Sequence, residues 1–296
     1  MRDLLLPLPQ SPEYARACKA MGLELRLCKR ETGGDINLLW QVQSRKLPVL
    51  GRVDMVSRGP VGREPADVAR WLERWDRWHD GRPMLLNADG MQASALKRAG
   101  FFPLMTPATL AMLDLGEHNE MRAGLHQKWR NRLNRAEALR VKVTRHALSD
   151  GHWVLHRELE QAKTKGYRGL PPAFSACYAR ANPGQAVVFE ARHNKELVAA
   201  AVVLRHGRMA TWQIGHSTDQ GRKVNAMNAV LWQMMGWLAD QGHDTLDLGI
   251  INSDDAAGLA RFKLGTGARA HRLAGTWLHY GALAPIARCL PTSLVA

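Results

Sequence analysis

Val68, Trp71, Leu72, Trp75 and Trp78 recur at intervals of three and four, so their side chains share one side of a predicted helix that ends near Asp80-Gly81. A stripe of that kind is core. Ser11-Pro12-Glu13, followed by Tyr14, Cys18 and Met21 and closed by Gly22, predicts an earlier capped helix. Between the two lie β-rich runs at 23–28, 38–42 and 49–56, broken by Thr32-Gly33-Gly34-Asp35 and Gly59-Pro60. Strands are expected at 83–87 and 110–115, with a helix at 91–98.

The longest helical pattern covers 119–139. It sets Leu125, Trp129, Leu133 and Ala136 on one side and Lys128, Arg132 and Arg135 on another. After it the pattern predicts a strand (141–146), two helices (151–163 and 172–180), three strands (186–192, 197–204, 209–216), a helix (224–240), a strand (245–249), a helix (255–262) and a strand (269–277). Both halves therefore run through three adjoining strands and then alternate helices with strands, an order that suggests internal duplication. The fold class expected is α/β with mixed, partly antiparallel sheets in two lobes. The expected division is an N-terminal lobe (1–117), a connecting basic helix (118–140), a C-terminal lobe (141–281) and a tail (282–296).

The 296 residues carry 41 Lys+Arg against 27 Asp+Glu, a formal charge of +14, with 46% hydrophobic content. This excludes a disordered or fibrous chain and favours anionic partners. Most of the excess lies after residue 115, densest from His126 to His146, where seven basic residues face one acid, Glu137. That run is a dock for the phosphates of a nucleic acid or for an anionic, lipid-linked acceptor, and equally a solvated face. The apolar stretches are too short to cross a bilayer. The start of the chain does not read as a signal peptide, and Cys18, Cys28, Cys177 and Cys289 are isolated, so a cytoplasmic protein with reduced thiols and at most peripheral membrane contact is expected.

Four segments carry a resemblance: Arg58-Gly59-Pro60-Val61, the helix from Lys128 to Glu137, the strand Thr245-Leu246-Asp247-Leu248-Gly249, and the stretch from Gly258 to Ala268. In their order they resemble the GNAT acyltransferase superfamily, and more closely its Fem-type branch of peptidoglycan-bridge aminoacyltransferases. The resemblance implies two tandem GNAT-like lobes and transfer of an acyl or aminoacyl group to an amine bound between them. The donor it implies is acyl-CoA or, alternatively, aminoacyl-tRNA. Fem enzymes that use tRNA often carry a long helical arm, for which this chain has no segment, so acyl-CoA leads. The third alternative is a non-catalytic RNA-binding or membrane-surface module.

On that resemblance Lys263, paired with Phe262, holds the donor or stabilises the oxyanion, and arginines of the basic helix face the acceptor, here Lys128, Arg130 and Arg132. Gly265 and Gly267 would allow tight turns near a ligand. The usual glycine-rich CoA turn is replaced by Gln220-Gly221-Arg222-Lys223-Val224-Asn225-Ala226. Gly221, Arg222, Lys223 and Asn225 stand where a helix entrance favours an anion, with Gln213 on the preceding strand. A free amine must shed a proton during transfer; Asp247 is the first carboxylate expected to take it, followed by Asp254, Asp255 and His216. His152 and His156 share the spacing of metal ligands, but no third ligand accompanies them in sequence and no metal is expected.

Overall fold

The structure is a computed structural model that describes residues 4–48, 51–75, 80–167 and 169–291. The chain forms two compact units, Met1–Thr109 with Arg272–Ala296, and Leu110–His271.

In the first unit a short 3-10 turn precedes α1 (Pro12–Ala20), β1 (Leu25–Thr32), β2 (Asp35–Leu47), β3 (Gly51–Ser57), β4 (Val61–Gly62), α2 (Pro65–Glu73), β5 (Met84–Ala88), α3 (Ala93–Arg98) and β6 (Phe101–Met105). Two of these helix starts have a local cause. Ser11 accepts from Tyr14 N ahead of Pro12, while Glu64 and Asp67 form a reciprocal capping box ahead of Pro65. The tryptophan stripe is core: Trp71 is fully buried and edge-on to both Trp40 and Trp75, whose ring meets Phe101 at 4.8 Å. Val49 and Trp78 of the expected elements lie outside the described residues.

The second unit contains β7 (Thr109–Asp114), α4 (His118–Gly124), α5 (Gln127–Ala138), β8 (Lys142–Ala147), α6 (Trp153–Lys165), α7 (Pro172–Ala181), β9 (Ala186–His193), β10 (Glu196–His206), β11 (Met209–Ser217), α8 (Asp219–Lys223), α9 (Ala226–Asp240), β12 (Thr245–Ile251), α10 (Ala257–Leu264) and β13 (Arg269–Arg272). The chain then returns to the first unit as β14 (Gly275–His279) and α11 (Ala284–Cys289). β9 and β10 are buried along most of their length because helices cover both faces: α9 with α5 on one, α6 and α7 on the other.

The sheets run β1-β2-β3-β5-β14-β6, with β4 beside β2, and β13-β7-β12-β11-β10-β9-β8. A parallel pair, β3 with β5 and β11 with β12, occupies the same position in each. In each sheet a strand from the other half of the sequence is inserted, β14 between β5 and β6 and β7 between β12 and β13. Tandem mixed α/β sheets are thus the observed architecture, as expected.

Several elements differ from the expectation. The helix over 119–139 is two helices, because Leu125 and His126 are extended and His126 N donates to Gly265 O. The strand over 269–277 is two strands in different sheets, divided where Leu273 N reaches Ala108 O and Ala274 N reaches Ala88 O. β6 has no counterpart in the prediction, since Pro103 disguised a short strand. By compactness 118–140 groups with the second unit, and 272–291 with the first.

Candidate active site

β11 and β12 separate as they run forward. Their parallel register comprises Met209 with Thr245, Ala210 with Leu246 and Thr211 with Asp247, beyond which β11 continues to Ser217 and β12 to Ile251. Each strand has its own reason to diverge. On β11 the register with β10 slips between Val202 and Val203, leaving Gln213 as a bulge residue, and Trp212 Nε1 donates to Ile214 O across it. On β12 Gly249 sits at φ +80° while Asp247 Oδ1 accepts its N–H at 2.7 Å. A carboxylate that binds the backbone two residues on, joined to a residue with positive φ, kinks a strand.

Lys263 reaches this opening from α10. It is 7% exposed, donates Nζ to Ile250 O at 2.7 Å and lies 5.9 Å over the Trp212 ring. Burial pushes its pKa from 10.5 down to about 8, against the opposing influence of the Asp247 charge. The half-buried Phe262 ring contacts both Trp129 (5.9 Å) and Trp212 (6.1 Å). An aromatic wall and a desolvated lysine therefore adjoin the divergent strands. Asp247 is buried rather than outward-facing, because its oxygen is engaged in the kink.

The turn after β11 differs from the expected anion cradle. Gly221 is buried in the short helix α8, its N–H held by Thr218 Oγ1, and a Cβ there would stand 2.1 Å from Val198 O. The glycine serves close packing on β10, and its N–H has a partner. Arg222 is paired with Asp219 and donates to Ser217 O, while Lys223 is exposed. α9 begins instead at Asn225, which has φ +53° and makes no side-chain cap bond. Gly265 and Gly267 likewise serve packing: a Cβ at 265 would meet Trp129 Cδ1 at 2.7 Å, and one at 267 would meet Gly124 O at 2.9 Å.

Lys128 and Arg132 are exposed on α5, whereas Arg130 bends back to the Leu125 and Ala123 carbonyls at the end of α4. It complements that helix end rather than standing open to a ligand. Asp254 and Asp255 are exposed in a turn whose N–H groups bind Asn252 Oδ1. His216 lies past the bulge, edge-on to Trp153, with its pKa lowered by burial. His156 is exposed, and His152 precedes α6 as its N-cap instead of sharing its face. Trp212 and Gly249 were missed as site residues.

A mixed sheet whose parallel strands diverge beside a helix start defines the acyltransferase class. The chain belongs to the acetyltransferase (GNAT) domain family, whose model matches residues 120–271. Its fold is similar to the crystal structure of FemX, with a TM-score of 0.74 at 14% identity over 94% of each chain. It is also similar to the C-terminal domain assigned to a lysylphosphatidylglycerol synthetase from Agrobacterium fabrum, with a TM-score of 0.54 at 17% identity over 97% of this chain and 93% of that one. L-PGS from Bacillus licheniformis gives 0.51 at 14% identity over 97% of each. No curated protein matches the sequence. Among the described residues no helix is long and apolar enough to cross a membrane.

Proposed function

We propose that this acyltransferase moves an acyl group from acyl-CoA to an amine acceptor in the cytoplasm, with the transfer taking place where β11 and β12 separate. The observation that carries the proposal is Lys263: a buried ammonium beside divergent strands supplies a fixed positive charge where a carbonyl oxygen becomes negative. The acceptor nitrogen attacks the thioester carbon and the C–N bond forms, Lys263 stabilises the resulting tetrahedral oxyanion, and the C–S bond breaks as that oxyanion collapses. Asp247 holds the kink and is the carboxylate assigned to receive the amine's proton, which passes on to the departing thiolate. Phe262 and Trp212 line the acyl group. Asn225 and the first turn of α9, with Gln213 and the exposed Lys223, are assigned to the donor's phosphates.

The exposed Lys128 and Arg132 and the charge of +14 favour aminoacyl-tRNA as the second reading of the donor. Thermal unfolding with CoA, acetyl-CoA and aminoacyl-tRNA distinguishes the two, since a ligand at 100 times its Kd stabilises by about 2.7 kcal/mol. Stabilisation by CoA species together with amine-dependent thiol release supports acyl-CoA, and stabilisation by tRNA alone supports the other donor. If neither donor stabilises the protein and no thiol is released, the proposal fails.

A further inference from the structure

Away from β11 and β12, three polar side chains from separate elements converge. His146 lies near the end of β8, His152 caps α6, and Glu190 lies on β9, where the register pairs Thr144 with Glu190 and His146 with Val188. Glu190 and His146 therefore point to the same face on a diagonal. His152 Nε2 is 3.3 Å from Glu190 Oε1, and His146 Nε2 is 3.5 Å from Glu190 Oε2. One ligand atom from each of the three residues can be chosen so that all lie within 4.8 Å of one another. We propose that His146, His152 and Glu190 bind a divalent transition-metal ion, with Zn2+ the best chemical match.

The distances suit the ion. Tetrahedral Zn2+, with ligands at about 2.0–2.1 Å, places its donor atoms about 3.3 Å apart; each histidine stands at about that spacing from one of the two Glu190 oxygens, so the carboxylate bridges both to the ion as the three donors close from within 4.8 Å. The surroundings suit it too. His146 Nδ1 donates to Ala147 O at 3.2 Å, leaving the Nε2 lone pair toward the carboxylate. Trp153 Nε1 donates to Glu190 Oε1 at 2.7 Å and so orients it. Burial lowers the His152 pKa against the pull of the Glu190 charge, and the bond from Trp153 lowers that of Glu190 against the burial that would raise it, both in the direction a metal ligand needs. His152 must move its ring proton to Nδ1 when the ion binds, giving up its 3.3 Å bond from Val154 N. A water completes the shell on the exposed side of His146.

β8 is an edge strand, so the ion would clip that edge and the start of α6 to β9. β10 lies between β9 and β11, and Trp153, which orients Glu190, also packs edge-on against His216 of β11; the role assigned to the ion is structural. The sequence spacing pointed to His152 with His156; the fold instead joins His152 to residues on two strands.

Tag-free protein stripped with a chelator and titrated with Zn2+ against a chromophoric chelator should bind one equivalent and melt at a higher temperature. With Co2+ the same protein should show the intense visible bands of four-coordination. His146→Ala, at an exposed edge position, should weaken binding roughly 100-fold and abolish the Co2+ bands, and His156→Ala should change neither. A wild-type protein that takes up no Zn2+, a His146→Ala variant that binds as well as wild type, or equal loss in His156→Ala would each overturn the proposal.

Discussion

Replacing Lys263 by Met tests the site through two observables that should move in opposite directions. The depression of the lysine pKa from 10.5 to about 8 means that burial disfavours its charged form by roughly 3 kcal/mol in the folded protein. Methionine carries no such penalty, but it leaves Ile250 O without its donor, a loss of about 1–3 kcal/mol. The variant should therefore be as stable as wild type or up to about 2 kcal/mol more stable at pH 7. Transfer should fall by roughly 100- to 1000-fold, as expected when a fixed charge facing the oxyanion is removed. The sign with pH follows from the depressed pKa. Between about 8 and 10.5 the unfolded chain binds more protons at this lysine than the folded one, so wild-type stability from this group rises across that window and is flat below it. The advantage of the variant should correspondingly shrink above pH 8, while wild-type activity, which needs the ammonium, declines there. Chemical denaturation at pH 7 and pH 9.5 with a pH–rate profile reads all of this. A variant that loses stability and activity together would make Lys263 a structural residue, and one with full turnover would remove it from the site.

Asp247→Asn retains an oxygen for Gly249 N but removes both the assigned proton acceptor and the charge that raises the Lys263 pKa, so turnover should fall by roughly 100-fold or more and the alkaline limb of the residual pH–rate profile should move to lower pH; full turnover contradicts the assignment and an unmoved limb the coupling. Gly249→Ala places a side chain at φ +80° with its Cβ 3.5 Å from Lys263 Nζ, and should cost about 1–2 kcal/mol in urea unfolding and more in kcat than in KM. Gly221→Ala meets the Val198 carbonyl at 2.1 Å and should destabilise by about 1–3 kcal/mol or more, whereas Thr218→Val, which removes the cap on Gly221 N and the Oγ1 bond to Val198 O, should cost about 1–2 kcal/mol.

What the sequence revealed divides along the range of the interactions. Local signals carried well: the stripe from Val68 to Trp75 forms core, and Ser11-Pro12 starts a helix, because caps and periodicity act within one or two turns. Lys263 and Phe262 were visible only through the family motif, since a lysine near a helix end otherwise suggests a dipole partner. The opening of the strands was not legible. The Gln213 bulge is fixed by register against β10, and no local residue announces it. Gly249 did leave a signal, an aspartate two positions earlier, but within Thr245-Leu246-Asp247-Leu248-Gly249 the alternation hid it. Gly221, Gly265 and Gly267 were misread because the atoms they approach, at Val198, Trp129 and Gly124, come from distant parts of the sequence.

The two sheets show why a shared strand order does not duplicate the site. In the first unit the β3–β5 pairing runs through Ser57 with Asn87, at the last residue of β3. Arg58 then extends the seam, donating its N–H to Asn87 O at 2.8 Å and placing Nε 3.5 Å from Asp89 Oδ2. In the second unit the corresponding pairing stops at Thr211 with Asp247, and the residues that follow direct their bonds within their own strand: Trp212 to Ile214 O, Gly249 to Asp247. Backbone groups that find partners along the strand are no longer available to close the gap across it. The residues proposed for the chemistry also border this space, for Ile250 O accepts Lys263 Nζ and the Trp212 ring lies beneath it. Of the two parallel seams, the one extended by Arg58 stays paired past its last strand residue, and the one opened by a bulge and a glycine has the Lys263 side chain reaching into it.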